Sequence, residues 1–119
     1  MSGRKNFLNP YRLIDSESMG ASVTSDPFNV QGLDSIAVQF VFSGTPTGTF
    51  SVQVSGNYNT VTASGDWDDL FLNPSMTASG ASGTASTNIQ QLAFLWMRLK
   101  YTRTGGTGSL DAYVSGKMI

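Results

Sequence analysis

Over 35–42 and again over 50–55, strongly apolar residues recur at every second position. Ile36, Val38, Phe40 and Phe42 alternate with Ser35, Ala37, Gln39 and Val41. After the turn-forming run over 43–48, Phe50, Val52 and Val54 alternate with Ser51, Gln53 and Ser55. A period of two with one apolar face marks a half-buried strand, so these segments predict two strands joined as a hairpin. The same pattern returns near the end of the chain. Leu95, Met97, Leu99 and Tyr101 alternate with Phe94, Trp96, Arg98 and Lys100. The Gly-rich turn over 104–108 follows, and then Leu110, Ala112 and Val114 alternate with Asp111, Tyr113 and Ser115. Residues 89–95 also fit a helical turn, with Ile89, Leu92, Ala93 and Trp96 on one side, and both readings stay open there.

The two alternating regions are similar to each other. Thr47, Gly48, Val54, Ser55 and Gly56 recur as Thr107, Gly108, Val114, Ser115 and Gly116, an offset of sixty that also lays 36–42 over 96–102. Two related hairpins predict an all-β, β-sandwich or jelly-roll-like fold of antiparallel sheets. Elsewhere the pattern is weaker. Residues 22–30 read as an edge strand broken at Asp26-Pro27, and 65–72 as a turn leading into a short strand that stops at Asn73-Pro74. The small polar residues over 75–88 read as a loop. Residues 1–12 read as an irregular arm, leaving 13–119 as a single sandwich domain.

Composition narrows the chemistry. The 119 residues include no Cys and no His. A thiolate nucleophile, a Ser–His pair and a zinc site of Cys and His are therefore excluded, and we expect no enzyme activity, no cofactor and no bound metal. No apolar run is long enough to span a membrane. Asp66, Asp68 and Asp69 offer carboxylates in one turn, either as Ca²⁺ ligands or as caps on backbone N–H groups around Trp67. Trp67, Trp96, Tyr58 and Tyr113 offer rings for stacking on sugars or bases, or for packing.

Charge is partitioned along the chain. Residues 1–12, 13–97 and 98–119 carry +3, −7 and +3, and no Lys or Arg lies between 13 and 97. The basic ends either lie beside the acidic middle within one fold or dock on an acidic partner or neighbouring subunit. A near-neutral total with bases in two places argues against a nucleic-acid partner.

The second region, Leu99 to Lys117 with its Tyr101-Thr102-Arg103 strand and Gly-Thr-Gly turn, resembles the C-terminal hairpin of small virion structural proteins of tailed bacteriophages. Residues 42–53 resemble their first hairpin, and Trp67 sits between the two. That resemblance covers about residues 33 to 118. It implies a non-enzymatic sandwich subunit of the virion, made in the host cytoplasm and usually a homo-oligomer, of the kind that decorates a capsid. The expected partners are the major capsid protein or other virion subunits, with no membrane involved. The expected contacts are Arg4, Lys5 and Arg12 with Phe7 and Tyr11 as apolar anchors, together with Arg98, Lys100 and Arg103. A carbohydrate- or receptor-binding module using Trp67, Tyr58 and the 66–69 turn is the alternative, and a tail or neck component is a further possibility within the virion class.

Overall fold

The computed structural model describes residues 7–30, 35–70, 76–90 and 95–117. They form ten strands: β1 (Phe7–Ser18), β2 (Val23–Thr24), β3 (Phe28–Asn29), β4 (Ser35–Gly44), β5 (Thr47–Ser55), β6 (Asp68–Asp69), β7 (Met76–Ser79), β8 (Gly83–Gln90), β9 (Trp96–Gly105) and β10 (Gly108–Lys117). No helix occurs among the described residues. The first sheet has the order β1-β10-β4-β8 and the second β2-β9-β5-β6, with β3 also on β9 and β7 also on β5. The pairings are antiparallel. The fold is an all-β sandwich.

The alternation correctly marks the core faces. Ile36, Val38, Phe40, Val52, Val54, Met97, Leu99, Tyr101, Leu110, Ala112 and Val114 are buried between the sheets. Phe50 stacks on Phe40 with centroids 4.5 Å apart, and meets Phe42 at 5.2 Å and Tyr101 at 5.1 Å. Aromatic pairs in such geometry add about 0.5–1.5 kcal/mol beyond area burial.

The partners differ from the expected hairpins. β4 pairs with β10 and β8, while β5 pairs with β9, β6 and β7. The turn at Thr45-Pro46 therefore carries the chain from one sheet to the other, and the turn at Gly106-Thr107 carries it back the same way. An apolar alternate face requires a core opposite it but does not say which strand lies alongside. The two crossings lean on each other: Thr45 N donates to the Thr107 carbonyl at 2.8 Å. Gly106 takes φ +71, and a Cβ there would collide with the Thr45 carbonyl. Glycine is required at that position by both conformation and space.

With β2/β3 and β6/β7 each counted as one interrupted strand, the eight strands divide four to a sheet. Exchanging the halves of the chain exchanges the sheets. β10 lies between β1 and β4 as β5 lies between β7 and β9. Register refines the sequence repeat. Val114 opposes Val38 and Val54 opposes Met97, so the offset is sixty for β5/β10 and fifty-nine for β4/β9. The difference is one extra residue on β9: Thr47 opposes Gly105 and Gly48 opposes Arg103, leaving Thr104 as a bulge.

Two other expectations change. Of the loop expected over 75–88, the described residues hold two strands: β7 pairs with β5 over Met76–Ser79, and β8 pairs with β4 from Gly83 to Gln90. The inward positions of β8 are Gly83, Ala85, Thr87 and Ile89, too little apolar contrast to reveal a strand whose main stabilisation is the backbone ladder. The segment 7–12 is not an irregular arm but the start of β1, which pairs with β10 from Phe7↔Lys117 to Ser18↔Ser109. Three register shifts interrupt β1, which hides any period of two and blunts this edge against further pairing. Of the ambiguous 89–95 segment, Ile89 and Gln90 end β8, 91–94 lie outside the described residues, and Leu95 is an exposed bend. The edge strand broken at Asp26-Pro27 is present as β2 and β3. Between them the Ser25 hydroxyl accepts from Leu99 N at 2.8 Å, replacing the ladder partner that this irregular stretch cannot offer.

Candidate binding surfaces on the two sheets

On the second sheet the side chains pointing away from the core form cross-strand rows: Ser55 with Trp96, Gln53 with Arg98, and Ser51 with Lys100. The segment after β5 turns back over this face. Asn59 and Ser64 bridge, and Asn59 Oδ1 accepts from Val61 N at 2.8 Å, closing a tight loop. Asn57 Nδ2 donates to Asp66 Oδ2 at 2.9 Å, and Asp66 N donates to Asn57 Oδ1 at 2.8 Å. Those bonds hold the next residue, Trp67, over Arg98, whose guanidinium carbon lies 4.4 Å from the ring centroid. Tyr58 sits against Trp67 at 5.6 Å and Trp96 at 5.0 Å, tilted and edge-on.

Beneath the rings, Arg98 Nε donates to Gln53 Oε1 at 2.7 Å, and Gln53 Nε2 donates to Asp69 Oδ1 at 2.9 Å. Gln53 is buried at 8% exposure, so both ends of its amide need these partners. Partial burial lowers the Arg98 pKa from its ordinary value. The arrangement is a cover clamped on the sheet by a cation–π contact and a charge-to-amide relay. Tyr58, Trp67 and Trp96 spend their rings on one another and on Arg98, so they do not present a flat stacking platform. Asp66 and Asp69 accept from amides. Among the described residues no group of three acidic or other metal-ligating side chains could hold an ion.

The remaining expected contact residues fall on different surfaces. Arg12 stands on the β1 edge of the first sheet, where its Nη1 lies 2.8 Å from Asp15 Oδ1 and its guanidinium carbon 5.5 Å from the Tyr113 centroid. A hydrogen bond to Tyr113 and the Asp15 carboxylate raise its pKa. Lys100 is half-buried on the second sheet, between Ser51 and Thr24 in register. Arg103 is exposed at the end of β9, its Nε donating to the Gly106 carbonyl at 2.9 Å. Phe7 and Tyr11 pair through their backbones with Lys117 and Val114. Arg4 and Lys5 lie outside the described residues. Arg98 and Lys100 thus share one sheet with Arg103, and Arg12 belongs to the other.

The outer face of the first sheet has no such cover among the described residues. Its rows run Tyr113–Gln39–Ser86 and Ser115–Ala37–Asn88 across β10, β4 and β8. These six residues line an open groove of about 650 Å³. The sequence marked Ala37, Gln39, Tyr113 and Ser115 as solvent-facing alternates, but Ser86 and Asn88 were assigned to a loop. Without β8 no groove could be drawn.

No protein-family model and no curated protein sequence matches this chain. Solved structures do. The SPBc2 prophage-derived protein YomS superposes with a TM-score of 0.57 over 97% of both chains, at 8% identity. The PBSX exported protein XepA gives 0.57 over 97% of this chain and 37% of its own, at 15% identity. The infectious bursal disease virus VP2 subviral particle gives 0.50 over 98% of this chain and 33% of its own, at 10% identity. At these identities the likeness is one of fold. This chain spans little more than a third of XepA and a third of VP2.

Proposed function

We propose that the chain is a non-enzymatic structural subunit of a phage virion, acting as a capsid decoration protein. The observation that carries this reading is the end-to-end likeness to a prophage-derived protein, 97% of each chain. The likeness to a chain from a subviral particle supports it. So does the composition: a net charge of only −1 and no His or Cys.

In this reading the sandwich docks on acidic shell subunits through its surface cations and clamps neighbouring subunits together. Arg98 is taken out of the contact set, because its guanidinium lies under the Trp67 ring and is bonded to Gln53. Lys100 and Arg103 remain on the β9 side, Arg12 stands on the β1 edge, and Arg4 and Lys5 precede β1. Phe7 and Tyr11, as parts of an edge strand, anchor that basic segment to the sheet. The 66–69 turn and its rings are closed, which disfavours the alternative site expected there.

The test is whether the chain travels with particles. A tagged copy expressed during prophage induction should band with intact virions in a density gradient, and immunogold should label heads rather than tails. Recovery only in the particle-free fraction would contradict the proposal, and label confined to tails would replace decoration by a tail role. Lys100→Glu with Arg103→Glu should cut particle occupancy about tenfold without altering thermal unfolding.

A further inference from the structure

The groove on the first sheet carries a second inference, independent of shell docking. We propose that the outer face of β10, β4 and β8 is a binding site for a neutral saccharide.

The lining is the first argument. Tyr113 contributes a half-buried ring, Gln39 and Asn88 contribute carboxamides, and Ser86 and Ser115 contribute hydroxyls, around a floor at Ala37. A carboxamide offers a donor and an acceptor side by side, as adjacent sugar hydroxyls do, and the Tyr113 ring, one face of which lies under Arg12, adds apolar C–H surface at the groove's edge. Strands lie about 4.8 Å apart and alternate side chains about 7 Å apart along each strand, so the two rows cover a patch of about 10 by 7 Å. That is the footprint of one or two sugar rings. A volume of about 650 Å³ lies within the usual range for small-ligand sites.

The second argument is charge. No Asp, Glu, Lys or Arg lines the groove. Phosphate or another anion would find no cation in it, which argues against nucleic acid. Arg12 is tied to Asp15 and lies over the Tyr113 ring, where it fixes the ring beside the groove. Asp111, one row away, accepts from Ser16 N at 2.8 Å.

The third argument concerns rival occupants. The backbone groups on this face are engaged in the β10–β4 and β4–β8 ladders. A peptide lying across it could not add as a strand and would be left with side-chain contacts alone. A second copy packed face to face would bury amides and hydroxyls with only Ala37, Val41 and the Tyr113 ring as apolar contacts, unlike the apolar centre of a stable homodimer.

The experiment is a titration of the ¹⁵N-labelled full chain with cellohexaose, maltohexaose and N-acetylchitohexaose, followed by amide shifts and calorimetry. At least one sugar should give saturable shifts centred on 37–39, 86–88 and 113–115. Tyr113→Ala should weaken that binding by at least about tenfold, and Gln39→Ala, which removes no ring, by several-fold with the spectrum otherwise intact. Three results would overturn the proposal. One is no saturable shift with any of the three sugars at about 10 mM. Another is saturable shifts centred on Trp67 and β9. The last is a concentration-dependent dimer, seen by sedimentation, that perturbs the same groove amides without sugar.

Discussion

Gln39 on the first sheet and Arg98 on the second occupy equivalent places. Each follows the inward residue at the centre of its sheet, Val38 or Met97, and each faces a partner from the other half, Tyr113 or Gln53. The surroundings are opposite. Arg98 lies under Trp67, hydrogen-bonded to a buried amide that is itself bonded to Asp69. Gln39 is exposed and borders an open groove. The difference teaches how one scaffold supports two surfaces. A guanidinium drawn partly out of water needs an amide acceptor and a ring to offset its desolvation; Gln53 on β5 supplies the acceptor and Trp67, in the segment that follows, supplies the ring. A carboxamide left in water needs no cover, so its face remains available to a ligand.

Removing the cover should have the largest effect on this contrast. Trp67→Ala deletes the ring over Arg98 and the support of Tyr58, and should cost about 2–3 kcal/mol in urea denaturation. Gln53→Ala leaves Arg98 Nε and Asp69 without their shared partner at a buried position, and should cost about 1–2 kcal/mol. A double-mutant cycle with Arg98→Ala should show that the two losses are not additive. Tyr113→Ala truncates a ring that roofs no core residue, and its cost should stay below about 1 kcal/mol. Gln39→Arg places a guanidinium at the equivalent, water-facing position and should change stability by no more than about 0.5 kcal/mol. A large cost for Gln39→Arg would mean that the first sheet is also covered, which would break the comparison.

Much of this was legible in the residues, and what was not has identifiable causes. The alternation over 36–42, 50–54, 97–101 and 110–114 named the core-facing side chains because a pleated strand sends alternate residues to opposite faces. It could not say that Phe40 and Phe50 meet across the sandwich rather than side by side. The internal repeat was visible, but its uniform offset put inward Ile36 over outward Trp96. Only register exposed the Thr104 bulge that separates the two offsets. β1 and β8 were missed for different reasons: β1 is interrupted by bulges, and β8 has Thr and Ala where a core strand usually has larger apolar groups.

The candidate surfaces followed the same division. The charge map found Arg98 but not its partners, since Trp67 and Gln53 reach it from distant parts of the chain. The aromatic residues suggested a stacking platform, whereas the geometry spends most of them on the clamp and leaves Tyr113 beside the groove. Two thirds of the groove belongs to strands whose outward residues were already marked, and one third to the strand that polarity concealed.

The central claim is that the second sheet's face is a structural cover and the first sheet's face is a binding surface. Measuring both urea stability and oligosaccharide affinity for Trp67→Ala and Tyr113→Ala tests it directly. The account predicts a crossed outcome: Trp67→Ala loses about 2–3 kcal/mol and retains sugar affinity, while Tyr113→Ala loses affinity at least about tenfold and retains stability. Loss of affinity in Trp67→Ala with full retention in Tyr113→Ala would contradict it.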